Sequence, residues 1–235
     1  MKSILLALAT AGALVGGGAL AMQVADAPQA DVESTALHPQ RVIIGLDLSR
    51  SNPLIADPAF AAKVADRIAD IVRNLGFASE VHVRTFGNYD ATSNTWAYNT
   101  VLSVRNRPES VAAEVRKLIA NTPYLVKNGT LRAQDNTNIL AFLDNISHGI
   151  GCAGMPTTII LASDGIEDSG YTKLYRESAQ LPAPNGKPFA GCAEFEILGL
   201  GQGRDSPRLT GHLRDEWSGW ARAGGFARFQ GLNDW

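Results

Sequence analysis

Three short polar segments of the chain carry side chains that could bind a metal ion together. Each lies next to an apolar run, and the three supply only oxygen atoms, with no Cys or His among them. The residues are Asp47, Ser49 and Ser51 in the first segment, Thr137 in the second and Asp164 in the third. Carboxylates and hydroxyls suit a hard divalent cation rather than zinc. The set therefore predicts a site for Mg²⁺, with Mn²⁺ or Ca²⁺ as alternatives.

The hydrophobic pattern predicts the elements that would position these residues. Solid or alternating apolar runs predict strands, and apolar residues three and four apart predict amphipathic helices. Strands are expected at 42–46, 80–86, 96–104, 157–163, 195–200 and 226–230. Helices are expected at 57–76, 108–119, 138–150 and 207–223, with a short helix near 172–180 and a loop around Pro123.

This alternation of strands and helices predicts an α/β fold with a mostly parallel sheet, because helical crossovers are how parallel neighbours are joined. Residues 80–86 and 96–104 read as a hairpin with its turn at 88–94. Ligands of such sheets bind beyond the carboxyl ends of the strands, where the strand order reverses. We therefore expect the three polar segments to meet at that edge.

The order Asp-x-Ser-x-Ser at 47–51, Thr137 at a helix start and Ser-Asp-Gly at 163–165 resembles the metal-ion-dependent adhesion site of von Willebrand factor type A domains. The resemblance covers roughly residues 41–230. It implies a doubly wound, mostly parallel sheet with one antiparallel edge strand and helices on both faces. It also implies hydroxyl ligation by Ser49, Ser51 and Thr137, with Asp47 and Asp164 binding the ion directly or through water.

The second segment departs from that family's pattern. Asp135 and Asn136 precede Thr137, where the family usually has two glycines. The added carboxylate of Asp135 could raise the metal affinity or cap the following helix, and we favour the cap.

The first residues predict export. A short basic start, an apolar run at 4–21 and the small-x-small pattern at 19–21 are typical of a signal peptide, with a retained membrane anchor as the alternative. Residues 22–40 read as a flexible linker, and residues 41–235 as the domain that resembles von Willebrand factor type A. The expected location is periplasmic or extracellular, where Cys152 and Cys192 could form a disulfide or remain two buried thiols.

With 21 basic and 23 acidic side chains, the chain has no electrostatic field that favours nucleic acid or an anionic membrane.

Three functions are compatible with the residues of the predicted site. The first function is a non-enzymatic binding module, in which a carboxylate of a protein partner completes the coordination of the ion. The second is a structural component of an envelope or secretion assembly. The third is a metal-dependent hydrolase, for which Asp135 or Glu167 would have to act as general base.

Overall fold

A six-stranded sheet forms the centre of the computed structural model, which describes residues 38–88 and 96–235. The predicted signal peptide, most of the predicted linker and the predicted hairpin turn lie outside the described residues. The strands are β1 (Arg41–Asp47), β2 (Glu80–Phe86), β3 (Ala97–Val101), β4 (Thr157–Ala162), β5 (Cys192–Leu198) and β6 (Arg228–Leu232). No helix among the described residues is long and apolar enough to cross a membrane.

The strand order is β3-β2-β1-β4-β5-β6. Only β3 runs antiparallel to its neighbour β2, and the other pairs are parallel. The chain leaves β1 in one direction to build β2 and β3, and it then returns to build β4, β5 and β6 on the other side. The order therefore reverses between β1 and β4, which is the point where ligands of doubly wound sheets bind.

Helices cover both faces of this sheet. They are α1 (Pro58–Arg73), α2 (Pro108–Ala120), α3 (Thr122–Lys127), α4 (Ile139–Gly149) and α5 (Pro207–Gly224). Alternate residues of β1 enter opposite cores, since Ile44 packs with α1 and α2 while Ile43 packs with α4 and α5. The α/β class, the doubly wound sheet and its antiparallel edge strand are thus confirmed.

Two local predictions were wrong. The segment around Pro123 is not a loop but the helix α3, because Pro is well tolerated in the first turn of a helix. The segment 172–180 is not a helix but a series of turns. Its backbone forms hydrogen bonds outside the helical pattern, since the Leu174 N–H donates to the Glu167 carbonyl at 2.8 Å.

A disulfide links the beginnings of β4 and β5, at the end of the sheet opposite the polar segments. Cys152 precedes β4, Cys192 begins β5, and the two are bonded with a Cα–Cα distance of 5.1 Å. Of the two alternatives left open by the sequence, the disulfide is therefore confirmed. A disulfide is a feature of proteins from oxidising compartments, in agreement with an exported protein.

Candidate metal centre

Asp47 is the last residue of β1, and its carboxylate is fully buried. Both carboxylate oxygens accept hydrogen bonds. The backbone N–H of Ser49 donates to Oδ1 at 2.8 Å, and the Ser163 hydroxyl donates to Oδ2 at 2.7 Å. The second bond links the first polar segment directly to the third and fixes the orientation of the carboxylate.

Asn52 joins the same two segments through their backbones. Its side-chain amide donates to the Asp47 carbonyl at 2.8 Å and to the Ala162 carbonyl at 3.0 Å. The carboxyl ends of β1 and β4 are thereby held together at the point where the strand order reverses. Sequence reasoning singled out neither Asn52 nor Ser163 for this role, although both lie within or beside the two motifs.

The hydroxyls of the first segment are close to each other. Ser49 Oγ and Ser51 Oγ are 3.4 Å apart, and Ser49 is buried whereas Ser51 is exposed. The segment therefore passes from the protein interior at Asp47 to the solvent at Ser51. A cation bound here would have protein ligands on its inner side and solvent, or another molecule, on its outer side.

Asp164 places a second carboxylate beside the first. It is fully buried, and its Oδ1 accepts from the Ile166 N–H at 3.0 Å. Its Oδ2 is buried and has no hydrogen-bond partner among the described residues. Unpaired buried acceptors are rare and costly, and a bound metal ion would satisfy this oxygen.

Burial raises the pKa of both carboxylates, and the charge of Asp164 adds to the rise at Asp47. Burial raises the pKa of Asp47 to about 7, with a further contribution from the charge of Asp164, while the hydrogen bond from Ser163 opposes the rise. Burial also raises the pKa of Asp164, opposed by the Ile166 N–H, the nearby Ser51 hydroxyl and the charge of Arg204. A divalent cation would favour the ionised form of both groups and lower both pKa values, against the effect of burial.

Thr137 lies in a loop that the backbone attaches to both other segments. Gln134 pairs with the first segment, through its N–H to the Leu48 carbonyl at 2.8 Å and its carbonyl to the Arg50 N–H at 2.9 Å. Thr137 itself exchanges two hydrogen bonds with Asp168, at 3.1 and 2.9 Å. The structure thus brings the first and third segments into direct side-chain contact and positions Thr137, which is buried, through the backbone of its loop.

The predicted helix cap at Asp135 was wrong. The N-cap residue of helix α4 is Asn138, three residues beyond Asp135, and its side chain forms no capping hydrogen bond. Asp135 instead forms an exposed salt bridge with Arg50 at 3.2 Å. The acceptor at this helix start is Glu167, whose Oε2 accepts from the Leu140 N–H at 3.1 Å. Burial raises the pKa of Glu167 to about 7.

The two side chains considered as general bases lie in different surroundings. Asp135 is paired with Arg50 at the surface, while Glu167 is fully buried with one oxygen at the start of α4.

A fourth segment, between β5 and α5, also reaches the site. The Gly201 N–H donates to the Asp164 carbonyl at 2.8 Å. A Cβ placed on Gly203 would lie 3.7 Å from the Ser51 carbonyl oxygen. The next residue, Arg204, is exposed, and its charge acts on Asp164. Because β5 is parallel to β1 and β4, its carboxyl end reaches the same edge, so this arginine could have been considered from the strand pattern.

The donor set fits a hard cation. It contains two carboxylates and three hydroxyls, all of them oxygen ligands that Mg²⁺ accepts. Within residues 38–88 and 96–235, no group of three or more His, Cys, Asp or Glu side chains could hold a metal. The candidate centre therefore differs from the carboxylate-rich and histidine-rich sites of many metalloenzymes, and its metal ligands Asp47, Ser49, Ser51, Thr137 and Asp164 remain a prediction.

Comparison with known proteins adds little to this geometry. No protein-family model and no curated protein matches the chain. Among solved structures, the D319A mutant of the PilB minor pilin from Streptococcus sanguinis is similar, with a TM-score of 0.41 and 11% sequence identity. The match covers 83% of this chain and 57% of the pilin chain, so this protein spans just over half the length of that pilin. A likeness at this level carries no argument about function.

Proposed function

We propose that this protein is an exported, non-enzymatic binding module that captures a protein partner through a divalent cation. The cation, Mg²⁺ in the first instance, would be held by Asp47, Ser49, Ser51, Thr137 and Asp164. A carboxylate from the partner would complete its coordination. The site would then belong to the metal-ion-dependent adhesion type that the sequence motifs resemble.

One observation supports this proposal above the others. Asp47 and Asp164 lie together at the end of adjacent strands, both fully buried, and Asp164 Oδ2 has no hydrogen-bond partner among the described residues. Holding two like charges in a buried place costs stability unless a cation is shared between them. Natural proteins keep such costs mainly where they serve function.

The hydroxyls explain why a partner would be needed. Three of the five predicted ligands are neutral hydroxyls, which compensate less of the charge of the cation than carboxylates in their places would, so the ion keeps more attraction for another anion. Ser51 is exposed, which puts one side of the site in contact with solvent. A carboxylate approaching from that side would complete the coordination of the ion, and Mg²⁺ commonly keeps positions for such exchangeable ligands.

Affinity capture from the native envelope fraction tests the proposal. The immobilised protein is expected to retain a partner in Mg²⁺ and to release it when EDTA is added. Asp164→Asn should abolish the capture, whereas Asp215→Asn, an exposed carboxylate on α5, should leave it unchanged.

The alternative role, as a structural component of an envelope or secretion assembly, predicts a different outcome. Docking through the fold alone would persist in EDTA and in the Asp164→Asn variant. That result would contradict metal-dependent capture.

A further inference from the structure

Arginines stand on two sides of the exposed end of the candidate metal centre. Arg50 lies between Ser49 and Ser51 in the first polar segment. Arg204 belongs to the fourth segment, which passes close to Ser51 through Gly203. The open side of the centre is therefore bordered by a guanidinium from each of two loops.

The guanidinium of Arg50 can bind a partner at little cost in free energy. Its only salt bridge to a described residue joins it to Asp135, with side-chain exposures of 67% and 70%. Exposed ion pairs are weak, because water competes for both groups. A carboxylate from another molecule could replace Asp135 without burying an unpaired charge.

The guanidinium of Arg204 is still less engaged. It is exposed and forms no salt bridge with a described residue, although its charge acts on Asp164. Once a cation neutralised Asp164, the charge of Arg204 would be free to attract an anion outside the centre. Arginine is well suited to this, because its planar guanidinium can bind a carboxylate through two parallel hydrogen bonds.

A groove of about 500 Å³ continues from Arg50 away from the centre. Its lining includes Arg50, Arg132, Gln134 and Asp135, and so carries two arginines against one aspartate. The groove therefore offers cationic side chains next to the open side of the centre, although the whole chain has a net charge of −2.

From these positions we infer that the partner segment is acidic beyond its metal-binding carboxylate, and that Arg50 or Arg204 binds a second carboxylate of that segment. The inference rests on the proposed function, since it needs a first carboxylate on the cation. It assigns specificity to the two arginines: a partner with an isolated Asp or Glu would bind less tightly than one with a neighbouring acidic residue. Complementary charge at a rim mainly increases association rates and selectivity.

Synthetic peptides test this inference. One peptide carries a single Glu among glycines, and the others carry a second Glu one, two or three residues further along. Their binding to the full chain is followed by NMR titration at low salt, in Mg²⁺ and in EDTA. In Mg²⁺ the best two-Glu peptide is expected to bind up to about fivefold more tightly than the one-Glu peptide, as for an exposed ion pair.

Variants separate the contribution of the arginines from that of the metal. Arg50→Ala combined with Arg204→Ala should remove the preference for the second Glu and leave the affinity for the one-Glu peptide similar. Arg222→Ala, an exposed arginine in the last turn of α5, should keep the preference.

Three results would overturn the inference: equal binding of all peptides, a preference that survives in the double variant, or no peptide binding to the Mg²⁺-loaded protein. The proposed metal centre would survive each of these, because it is tested by Mg²⁺ binding alone. Failure of the chain to bind Mg²⁺ would remove the proposed function and this inference together.

Discussion

Asp47 and Asp164 put two carboxylates into a part of the protein from which solvent is excluded. Neutral neighbours hold them there, since Ser163 and the backbone N–H groups of Ser49 and Ile166 donate to them. These bonds orient the carboxylates but do not neutralise their charge. At the residue scale, the site therefore carries an unfavourable charge that the proposed cation would offset.

A pH dependence of stability follows from the raised pKa of Asp47, about 7 in the folded chain against an ordinary value near 4. The folded state binds this proton more tightly than the unfolded chain does. The free energy of unfolding should therefore fall as the pH rises from about 4 through about 7, by on the order of 2 to 4 kcal/mol. Urea denaturation in EDTA at about pH 5 and about pH 8 measures this fall.

The Asp47→Asn variant is the control for this pH dependence. It should show a smaller fall, although Asp164 and Glu167, whose pKa values are also raised, keep part of it. Added Mg²⁺ should stabilise the wild type most at the higher pH. An identical pH dependence in wild type and variant would refute the assignment to Asp47.

At the element scale, three connecting segments meet because neighbouring strands end at one edge of the sheet. Backbone pairing then sets their spacing: the loop of Thr137 is bonded to the first segment through Gln134 and to the third through Asp168. Glu167 adds a side-chain bond from the third segment to the start of α4. The position of Thr137 thus depends on a carboxylate outside the predicted ligand set.

Removing that carboxylate should affect both stability and metal binding. Glu167→Ala leaves N–H groups at the start of α4 without their acceptor, and it should lower the free energy of unfolding by about 1 to 3 kcal/mol. It should also weaken Mg²⁺ binding, because the loop of Thr137 loses a support. Glu167→Gln keeps an acceptor and should lose less of both. Denaturation and Mg²⁺ titration are the two measurements.

Glu109 provides the control for Glu167, since it lies exposed in the first turn of α2. Glu109→Ala should change stability by less than about 1 kcal/mol and leave Mg²⁺ binding as in the wild type. Equal Mg²⁺ affinity in Glu167→Ala and wild type would show that Glu167 supports the helix alone.

The strands and main helices were predictable because their signals are local. The period of apolar residues places β2 at Glu80–Phe86, as expected, and Asp57 caps α1 as its Asp-Pro start suggests. The roles of Ser163 and Glu167 were not predictable in this way. Each depends on a contact between segments distant in the sequence, which no local pattern encodes.

At the scale of the whole molecule, the candidate ligands and the disulfide lie at opposite ends of the sheet. One end gathers the candidate ligands at the carboxyl ends of β1 and β4. The opposite end is closed by the Cys152–Cys192 disulfide, whose partners are 40 residues apart in the chain. The covalent support and the candidate site are thus separated by the length of the sheet, so stability and binding should be separable by mutation.

Replacing both cysteines by alanine tests this separation. In the chain-entropy model, a cross-link of this span stabilises the fold by about 4 kcal/mol, so the variant should unfold at a clearly lower urea concentration. Its Mg²⁺ affinity, measured where it is still folded, should equal that of the wild type. A large loss of Mg²⁺ affinity in the folded variant would show that the two ends of the sheet are coupled.

Isothermal titration calorimetry with Mg²⁺ tests the central claim most directly, because it needs no partner. The folded wild type is expected to bind one ion, and Asp47→Ala and Asp164→Asn should each weaken binding by more than about tenfold while Asp215→Asn does not. A wild type that binds no Mg²⁺, Mn²⁺ or Ca²⁺, or that binds equally well after loss of either carboxylate, would contradict the account.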